Sequence, residues 1–123
     1  MADYGKELIM DLHRCNPVLF TRRYIKEYFR KVCSSIDMKR GRLCWWDDKY
    51  VPKKYKETEP HLAGTSAVQF IRTSNITIHT LDKLECIFIN IFSCKDFDEC
   101  DVIRFTENWF EGDVVNKQII RRI

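Results

Sequence analysis

Three apolar segments in the middle of the chain follow one another so closely that they must be neighbouring strands of one sheet. Isoleucine, valine and phenylalanine dominate residues 66–72, 75–80 and 85–93, with breaks near residue 74 and at residues 81–84. A parallel connection needs a crossover of a dozen or more residues, whereas antiparallel strands join through short hairpins. The sequence therefore predicts a mostly antiparallel sheet.

The segments before this centre predict a strand followed by a helix. Residues 6–13 have the composition of a strand, and Asn16-Pro17 then favours a helix start. Asparagine caps free backbone N–H groups, and proline suits the first helical position. Apolar side chains recur at every fourth position after it, at Phe20, Tyr24, Tyr28, Val32 and Ile36. This period predicts an amphipathic helix of about five turns.

The rest of the chain completes an order of β-α-β-loop-β-β-β-α-β. The predicted parts are a short strand at 42–46, a long loop at 47–64, a helix at 96–110 capped by Gly112, and a last strand at 113–121. No internal repeat or linker interrupts this order. We therefore expect one domain over residues 1–123, an α+β two-layer sandwich with both helices packed on one face of the sheet.

Composition excludes several classes of function. A formal charge of +3, from 21 basic and 18 acidic side chains, is too mild and too mixed to indicate nucleic-acid binding. The longest apolar run, residues 87–92, is far too short to span a membrane. The six cysteines form no Cys-x-x-Cys pair, and with the three histidines they complete no zinc spacing, so we expect no metal. Residues 1–6 lack an apolar signal region, and we expect a soluble protein in the reducing cytoplasm.

A serine, a histidine and a cysteine in and around the central strands could supply a nucleophile, a base and a proton donor. These are Ser74, His79 and Cys94, with Ser66 eight positions upstream of Ser74. Taken singly they indicate little. Strand alternation puts His79 on the polar face of its strand, where histidine is ordinary, and a lone cysteine is most often a small buried apolar residue. Their joint spacing is the informative feature.

That spacing resembles the prokaryotic class of S-adenosylmethionine decarboxylases. Members carry Gly-Val-Ser-Gly before one apolar strand, then Glu-Ser-His-x-Ser/Thr-Ile-His-Thr, then an apolar strand that ends in cysteine. Here residues 64–67 are Gly-Thr-Ser-Ala, residues 73–80 are Thr-Ser-Asn-Ile-Thr-Ile-His-Thr, and the next apolar strand ends at Cys94. The intervals agree without a gap, and Gly-Lys-Glu-Leu at residues 5–8 also resembles the family's beginning.

The resemblance implies a proenzyme that cleaves itself between Thr73 and Ser74. Ser74 Oγ would attack the Thr73 carbonyl, His79 would remove the Ser74 α-proton so that the resulting ester eliminates, and Ser66 would assist. Hydrolysis would then leave a pyruvoyl group, the cofactor, at position 74. The products would be a β subunit of residues 1–73 and an α subunit of residues 74–123.

The resemblance also implies the later chemistry and the assembly. The pyruvoyl ketone would form a Schiff base with the substrate amine and act as the electron sink for loss of CO₂. Cys94 would protonate the resulting carbanion, which yields the aminopropyl donor for synthesis of polyamines such as spermidine. Family members form homodimers with the site near the interface, so a homodimer is expected here.

Three positions depart from the family pattern, and they leave the substrate open. Thr73 replaces a glutamate and Asn75 a histidine, while Lys83 stands where relatives carry a glutamate that hydrogen-bonds the ribose of the substrate. Lysine has donors only. We therefore assign Asp82 as the substitute acceptor, and His61 as the substitute for an aromatic residue upstream of Gly64.

Three functions are compatible with these residues. The first is a pyruvoyl-dependent S-adenosylmethionine decarboxylase. The second is the same chemistry on ornithine or arginine, which would not need the nucleoside contacts. The third is an unprocessed, non-catalytic paralogue that regulates an active partner, for which the altered Thr73-Ser74-Asn75 sequence is the argument.

Overall fold

The strands form one antiparallel sheet. In this computed structural model, which describes residues 3–123, they are β1 (Gly5–His13), β2 (Arg40–Trp46), β3 (Ser66–Ile71), β4 (Ser74–Leu81), β5 (Cys86–Ser93) and β6 (Asp113–Arg122). Their order across the sheet is β2-β3-β4-β5-β1-β6, and every neighbouring pair is antiparallel. Short hairpins join β3 to β4 and β4 to β5. The predicted antiparallel sheet is confirmed.

Two helices cover one face of this sheet, as the α+β two-layer prediction required. They are α1 (Arg22–Ser35) and α2 (Glu99–Phe110). Aromatic side chains join them: the Tyr24 ring stacks on Trp109 with 4.4 Å between centroids, and the Tyr24 hydroxyl donates to the Trp109 carbonyl over 2.7 Å. The Tyr28 hydroxyl lies 2.7 Å from Thr106 Oγ1 inside the core. Both tyrosine hydroxyl groups therefore have a hydrogen-bond partner where the helices pack together.

Strand alternation decides which side chains enter the core. In β4 the buried residues are Ser74, Ile76, Ile78 and Thr80, and His79 between the last two is exposed. Ile76 and Ile78 are fully buried beneath the helices. The predicted placement of His79 on the polar face is correct, because side chains along a strand alternate with a period of two.

The opposite face of the sheet carries neither helix, and we call it the open face. Its central members are Glu7, Ile9 and Asp11 of β1, Ser66, Val68 and Phe70 of β3, Asn75, Thr77 and His79 of β4, and Phe88, Asn90 and Phe92 of β5. Phe70 and Phe88 are 48% and 38% exposed, and Trp46 at the β2 edge is 84% exposed. Large apolar side chains thus remain in water on this face of the single chain.

The helix starts differ from the predicted ones. Asn16 does cap a helix, but it is a short 3-10 helix at Pro17–Leu19, and α1 begins only at Arg22, where the Thr21 side chain accepts from the Tyr24 N–H. α1 therefore has 14 residues, about four turns rather than five. Similarly, α2 begins at Glu99 after its cap Asp98, not at residue 96.

The predicted role of Gly112 is wrong in its detail. Glu111, not Gly112, takes the left-handed conformation that ends α2, with φ 53°. Gly112 is required for a different reason: a Cβ there would lie 2.4 Å from Cys15 Sγ. The long loop at 47–64 is also not wholly irregular, since it holds a 3-10 helix at Lys53–Tyr55.

Candidate active site

The hairpin between β3 and β4 holds Ser74 at the start of β4. Ile71 pairs with Ser74, so Arg72 and Thr73 form a two-residue turn between them. Ser74 is 5% exposed, and its Oγ accepts a hydrogen bond from the Cys94 backbone N–H over 3.0 Å. This bond uses an oxygen lone pair and leaves the hydroxyl hydrogen for another partner. The predicted nucleophile is therefore fixed beside the bond that it would attack.

Thr73, on the other side of that bond, has an unusual backbone. Its φ is 57°, in the left-handed region that β-branched residues rarely adopt. Its Oγ1 lies 2.7 Å from the Arg72 carbonyl oxygen and 3.4 Å from Cys94 Sγ. The structure thus brings together Thr73, Ser74 and Cys94, three of the residues that the sequence assigned to the site.

The Cys94 thiol is held in a polar setting at the end of β5. Hydrogen bonding from Thr73, and then from Ser74, lowers the pKa of the thiol below its ordinary value, against a smaller opposing effect of burial. Hydroxyl donors favour the thiolate because they stabilise the charged form. Cys94 is therefore partly exposed, with hydrogen-bond donors that favour its thiolate, unlike the buried, inert cysteine that the residue type alone suggests.

Ser66 and His79 form a second pair at the far end of the same strands. They are register partners in β3 and β4, and Ser66 Oγ lies 2.8 Å from His79 Nδ1 on the open face. This contact holds the imidazole through Nδ1, and the second ring nitrogen, Nε2, is the one that could accept a proton from the chain. The family resemblance implied only an assisting part for Ser66 in cleavage, and the structure places its hydroxyl against His79.

The two pairs are far apart within one chain. Ser74 and His79 are five residues apart on β4, which is about 16 Å at 3.3 Å per residue. Because they are an odd number of positions apart, the side chains of Ser74 and His79 also point to opposite faces of the sheet. A single chain therefore does not bring His79 to the α-proton of Ser74.

The residues assigned to substrate binding lie near the His79 end of β4. The Asp82 carboxylate accepts from Thr80 Oγ1 over 3.3 Å, and burial raises the pKa of this carboxyl above its ordinary value. Asp82 borders a cleft of about 420 Å³ between the start of α1 and the loop before β3. His61 is exposed in that loop. Lys83 points elsewhere, since its ammonium donates to the Thr58 carbonyl.

One contributor to the site was not predicted. Lys6 is 2% exposed and its ammonium contacts Asp96 at 2.7 Å, Glu99 at 2.6 Å and the Phe97 carbonyl. These groups lie in the segment that follows Cys94 and opens α2. The sequence did hold a signal, because strand alternation puts the Lys6 side chain on the buried face of β1. An unpaired charge there would be energetically costly.

The glycine before Lys6 also supports Cys94. A Cβ on Gly5 would lie 2.0 Å from the Ser93 carbonyl oxygen and 2.8 Å from Cys94 Cα. Only glycine lets β1 approach the end of β5 this closely. The first two residues of β1 therefore fix the backbone that carries the thiol.

Residues 3–123 hold neither a metal-binding cluster nor a membrane-spanning helix. No group of three or more histidine, cysteine, aspartate or glutamate side chains within residues 3–123 is arranged to hold a metal ion. None of the helices at those positions has the length and apolar character needed to cross a membrane.

Comparison with known proteins identifies the family of this chain. The family model described as S-adenosylmethionine decarboxylase matches residues 6–123. The chain belongs to the S-adenosylmethionine decarboxylase family. Proteins named S-adenosylmethionine decarboxylase proenzyme from two Clostridium botulinum strains, Langeland and Hall, are each 32% identical over 120 residues, covering 95% of this chain and 93% of theirs. The relative from strain Loch Maree is 29% identical over the same length.

A solved structure shares the fold of this family member. The crystal structure of the adenosylmethionine decarboxylase from Aquifex aeolicus superposes with a TM-score of 0.75, covering 99% of this chain and 92% of that one. Sequence identity between the two is 14%, so the likeness shows the fold alone. It supports the six-stranded sheet with two helices on one side.

Proposed function

We propose that this chain is the proenzyme of a pyruvoyl-dependent S-adenosylmethionine decarboxylase, a carboxy-lyase that cleaves itself between Thr73 and Ser74. The observation that carries the proposal is the hairpin turn, in which Ser74 Oγ is bound by the Cys94 N–H beside a Thr73 carbonyl in a strained backbone. Family membership supplies the reaction class, and this local geometry suits its first step.

Cleavage begins with the groups at the turn. Ser74 Oγ attacks the Thr73 carbonyl carbon, the bond to the Ser74 nitrogen breaks, and an ester links the two parts of the chain. Removal of the Ser74 α-proton then lets the ester eliminate, which leaves residues 1–73 as the β subunit. Residues 74–123 become the α subunit. Arg72 and Thr73 are exposed in the turn, so the new end of the β subunit would lie at the surface.

The pyruvoyl group formed at position 74 would supply the electron sink for loss of CO₂. Cys94 lies beside that position, with its backbone N–H on Ser74 Oγ and its sulfur near Thr73. This position supports the proposed role of Cys94, which is to deliver a proton to the substrate carbon after CO₂ leaves. Cleavage consumes the Ser74 hydroxyl and separates Thr73 from Ser74, so the Cys94 thiol loses the two hydrogen-bond donors that lower its pKa. The pKa of the thiol should then rise, and the thiol should stay protonated until it donates to the substrate carbon.

The base that removes the Ser74 α-proton is assigned to a second copy of the chain. The Ser66–His79 pair lies on the open face at the end of β4 opposite Ser74. Two open faces packed with their β4 strands running in opposite directions would bring His79 of one copy to the backbone at Ser74 of the other, on the side of the strand away from the buried Ser74 Oγ. The exposed Phe70 and Phe88 support such packing, because burial of apolar surface favours association. The proposed assembly is a homodimer with two composite sites.

The substrate is S-adenosylmethionine, with Asp82 and His61 proposed to contact its nucleoside part. Asp82 is the acceptor available near the His79 end of β4, because Lys83 is bound to Thr58. The relatives' names favour this substrate over ornithine or arginine, and their description as proenzymes favours processing over an inert paralogue. A location in the cytoplasm, without nucleic-acid or membrane partners, stays a prediction from composition.

Intact-protein mass tests the cleavage step directly. The purified chain should resolve into two fragments divided between Thr73 and Ser74, while Ser74→Ala should stay whole because it lacks the attacking hydroxyl. Borohydride trapping of the cleaved protein with S-adenosylmethionine, ornithine and arginine in turn should label the α subunit with S-adenosylmethionine. A wild-type chain that stays intact after long incubation would reject the proposal, and trapping of ornithine or arginine alone would reject the substrate.

A further inference from the structure

The scissile turn is the place where the backbone departs furthest from what its residue type prefers. Five residues other than glycine have positive φ within the described chain, and Thr73 is the only β-branched residue among them. In the left-handed conformation, Cβ of an L-residue crowds the carbonyl oxygen that follows it, which disfavours the conformation by roughly five- to thirtyfold. In Thr73 the crowded oxygen belongs to the carbonyl that Ser74 would attack.

The surrounding ladders hold this conformation in place. Ile71 and Ser74 pair across the hairpin, and the next pair, Phe70 with Asn75, continues the ladder. The Cys94 N–H also holds Ser74 through a hydrogen bond to its Oγ. This bond opposes any movement of the start of β4 that would relax the turn. Unfavourable backbone geometry persists only where the neighbouring structure determines it in this way.

We propose that Thr73 promotes self-cleavage by holding the scissile carbonyl in this crowded, left-handed backbone, an inference that rests on the proposed function. In the attack, a bond forms between Ser74 Oγ and the Thr73 carbonyl carbon, the carbon–nitrogen bond to Ser74 breaks, and the hydroxyl proton passes to the nitrogen. Atoms are conserved and no co-reactant is needed. As the carbon becomes tetrahedral, its bond to the Ser74 nitrogen weakens and the planar amide that holds the turn is lost, so the backbone strain at Thr73 falls towards the transition state.

Three substitutions at position 73 separate the backbone effect from the hydroxyl. Thr73→Gly and Thr73→Asn accept the left-handed conformation at low cost. Thr73→Val keeps the β-branched shape and the crowding but removes the hydroxyl contacts to Arg72 and Cys94. Cleavage is timed by mass spectrometry after synthesis is stopped in a cell-free translation. We expect about fivefold or more slower cleavage in the glycine and asparagine variants, and a valine rate within about twofold of wild type.

The same substitutions in the uncleavable Ser74→Ala chain measure the strain without any enzyme activity. Asparagine should raise the midpoint of thermal unfolding by about 3–6 °C, because the precursor no longer holds the crowded residue. Valine should leave the midpoint within about 2 °C of the Ser74→Ala parent. Glycine is used for the rate alone, since its extra freedom in the unfolded chain lowers stability for an unrelated reason.

The cleavage rates and the unfolding midpoints together decide whether strain at Thr73 promotes cleavage. Slower cleavage together with a higher midpoint for asparagine supports it. Unchanged cleavage in the asparagine and glycine variants overturns it, and so does an equally slow valine variant, which would assign the effect to the hydroxyl. An unchanged midpoint for asparagine also overturns it, because no strain would then be stored. A wild-type chain that never cleaves rejects the proposed function and this inference together, whereas normal wild-type cleavage with unchanged variants rejects the inference alone.

Discussion

At the scale of single residues, the sequence predicted candidate reactive groups but not their hydrogen-bond partners. Parity along β4 correctly placed His79 on the open face, because alternation is a local property of a strand. The bond from the Cys94 N–H to Ser74 Oγ depends on register between β4 and β5, and spacing along the chain does not state that register. Lys6 was missed because its carboxylate partners lie about 90 residues away in sequence.

The Cys94 thiol should respond to loss of the Thr73 hydroxyl. In the Ser74→Ala chain, which cannot cleave, alkylation of Cys94 should rise with pH to a plateau, because the thiolate is the nucleophile. Thr73→Val removes the hydroxyl whose hydrogen bond lowers the pKa of the thiol most, so the midpoint of this rise should move to higher pH. Mass spectrometry of the Cys94 peptide gives the rate, with Cys94→Ser as the blank. An unmoved midpoint would show that the hydroxyl donates only to the Arg72 carbonyl.

At the scale of elements, strands were predicted more accurately than helix starts. Strand periodicity extends over whole segments, whereas the start of a helix rests on one or two residues. Asn16-Pro17 carries the signals of an α-helix start, and these signals serve equally for the 3-10 turn that precedes α1. Gly112 looked like a cap because glycine tolerates positive φ, but here it is required by close contact with Cys15.

The link between β1 and the start of α2 should depend on the Lys6 ammonium. Lys6→Met should lower the free energy of unfolding by about 1–3 kcal/mol, because hydrogen bonds to charged groups are lost and a buried carbonyl loses its donor. Lys6 lowers the pKa of both Asp96 and Glu99. Their contribution is complete above the unfolded carboxyl pKa and is lost as pH falls through the lower folded values, so the gap between wild type and variant should narrow in acid.

Urea unfolding of the Ser74→Ala chain at several pH values measures this gap. Lys95→Met is the matched control, since Lys95 pairs with the fully exposed Asp37 and an exposed pair contributes well under 1 kcal/mol. A Lys6→Met loss no larger than the Lys95→Met loss, or one that is unchanged in acid, would contradict the assignment of Lys6 as the residue that fixes the segment after Cys94.

At the scale of the whole molecule, the fold was predictable while the complete site was not. Short hairpins require antiparallel pairing, and amphipathic helices require a sheet face to cover, so the two-layer arrangement follows from one chain. The site does not, because Ser74 and His79 lie at opposite ends of β4. A residue pattern within one sequence cannot say whether its members meet inside a chain or between two copies. The open face, with its exposed phenylalanines, gives the physical reason to expect the second arrangement.

Mixing two inactive chains tests that arrangement. His79→Ala and Ser74→Ala should each fail to complete cleavage alone, the first for lack of a base and the second for lack of a nucleophile. In a mixed dimer, the site that combines Ser74 of the His79→Ala chain with the intact His79 of its partner is complete. Coexpression with different affinity tags should therefore release fragments from the His79→Ala chain only, detected by mass. Because random pairing makes about half of the dimers mixed and each carries one complete site, about half of the His79→Ala chains should be cleaved. Absence of any fragment from tagged, verified mixed dimers would place the base within the same chain as its serine.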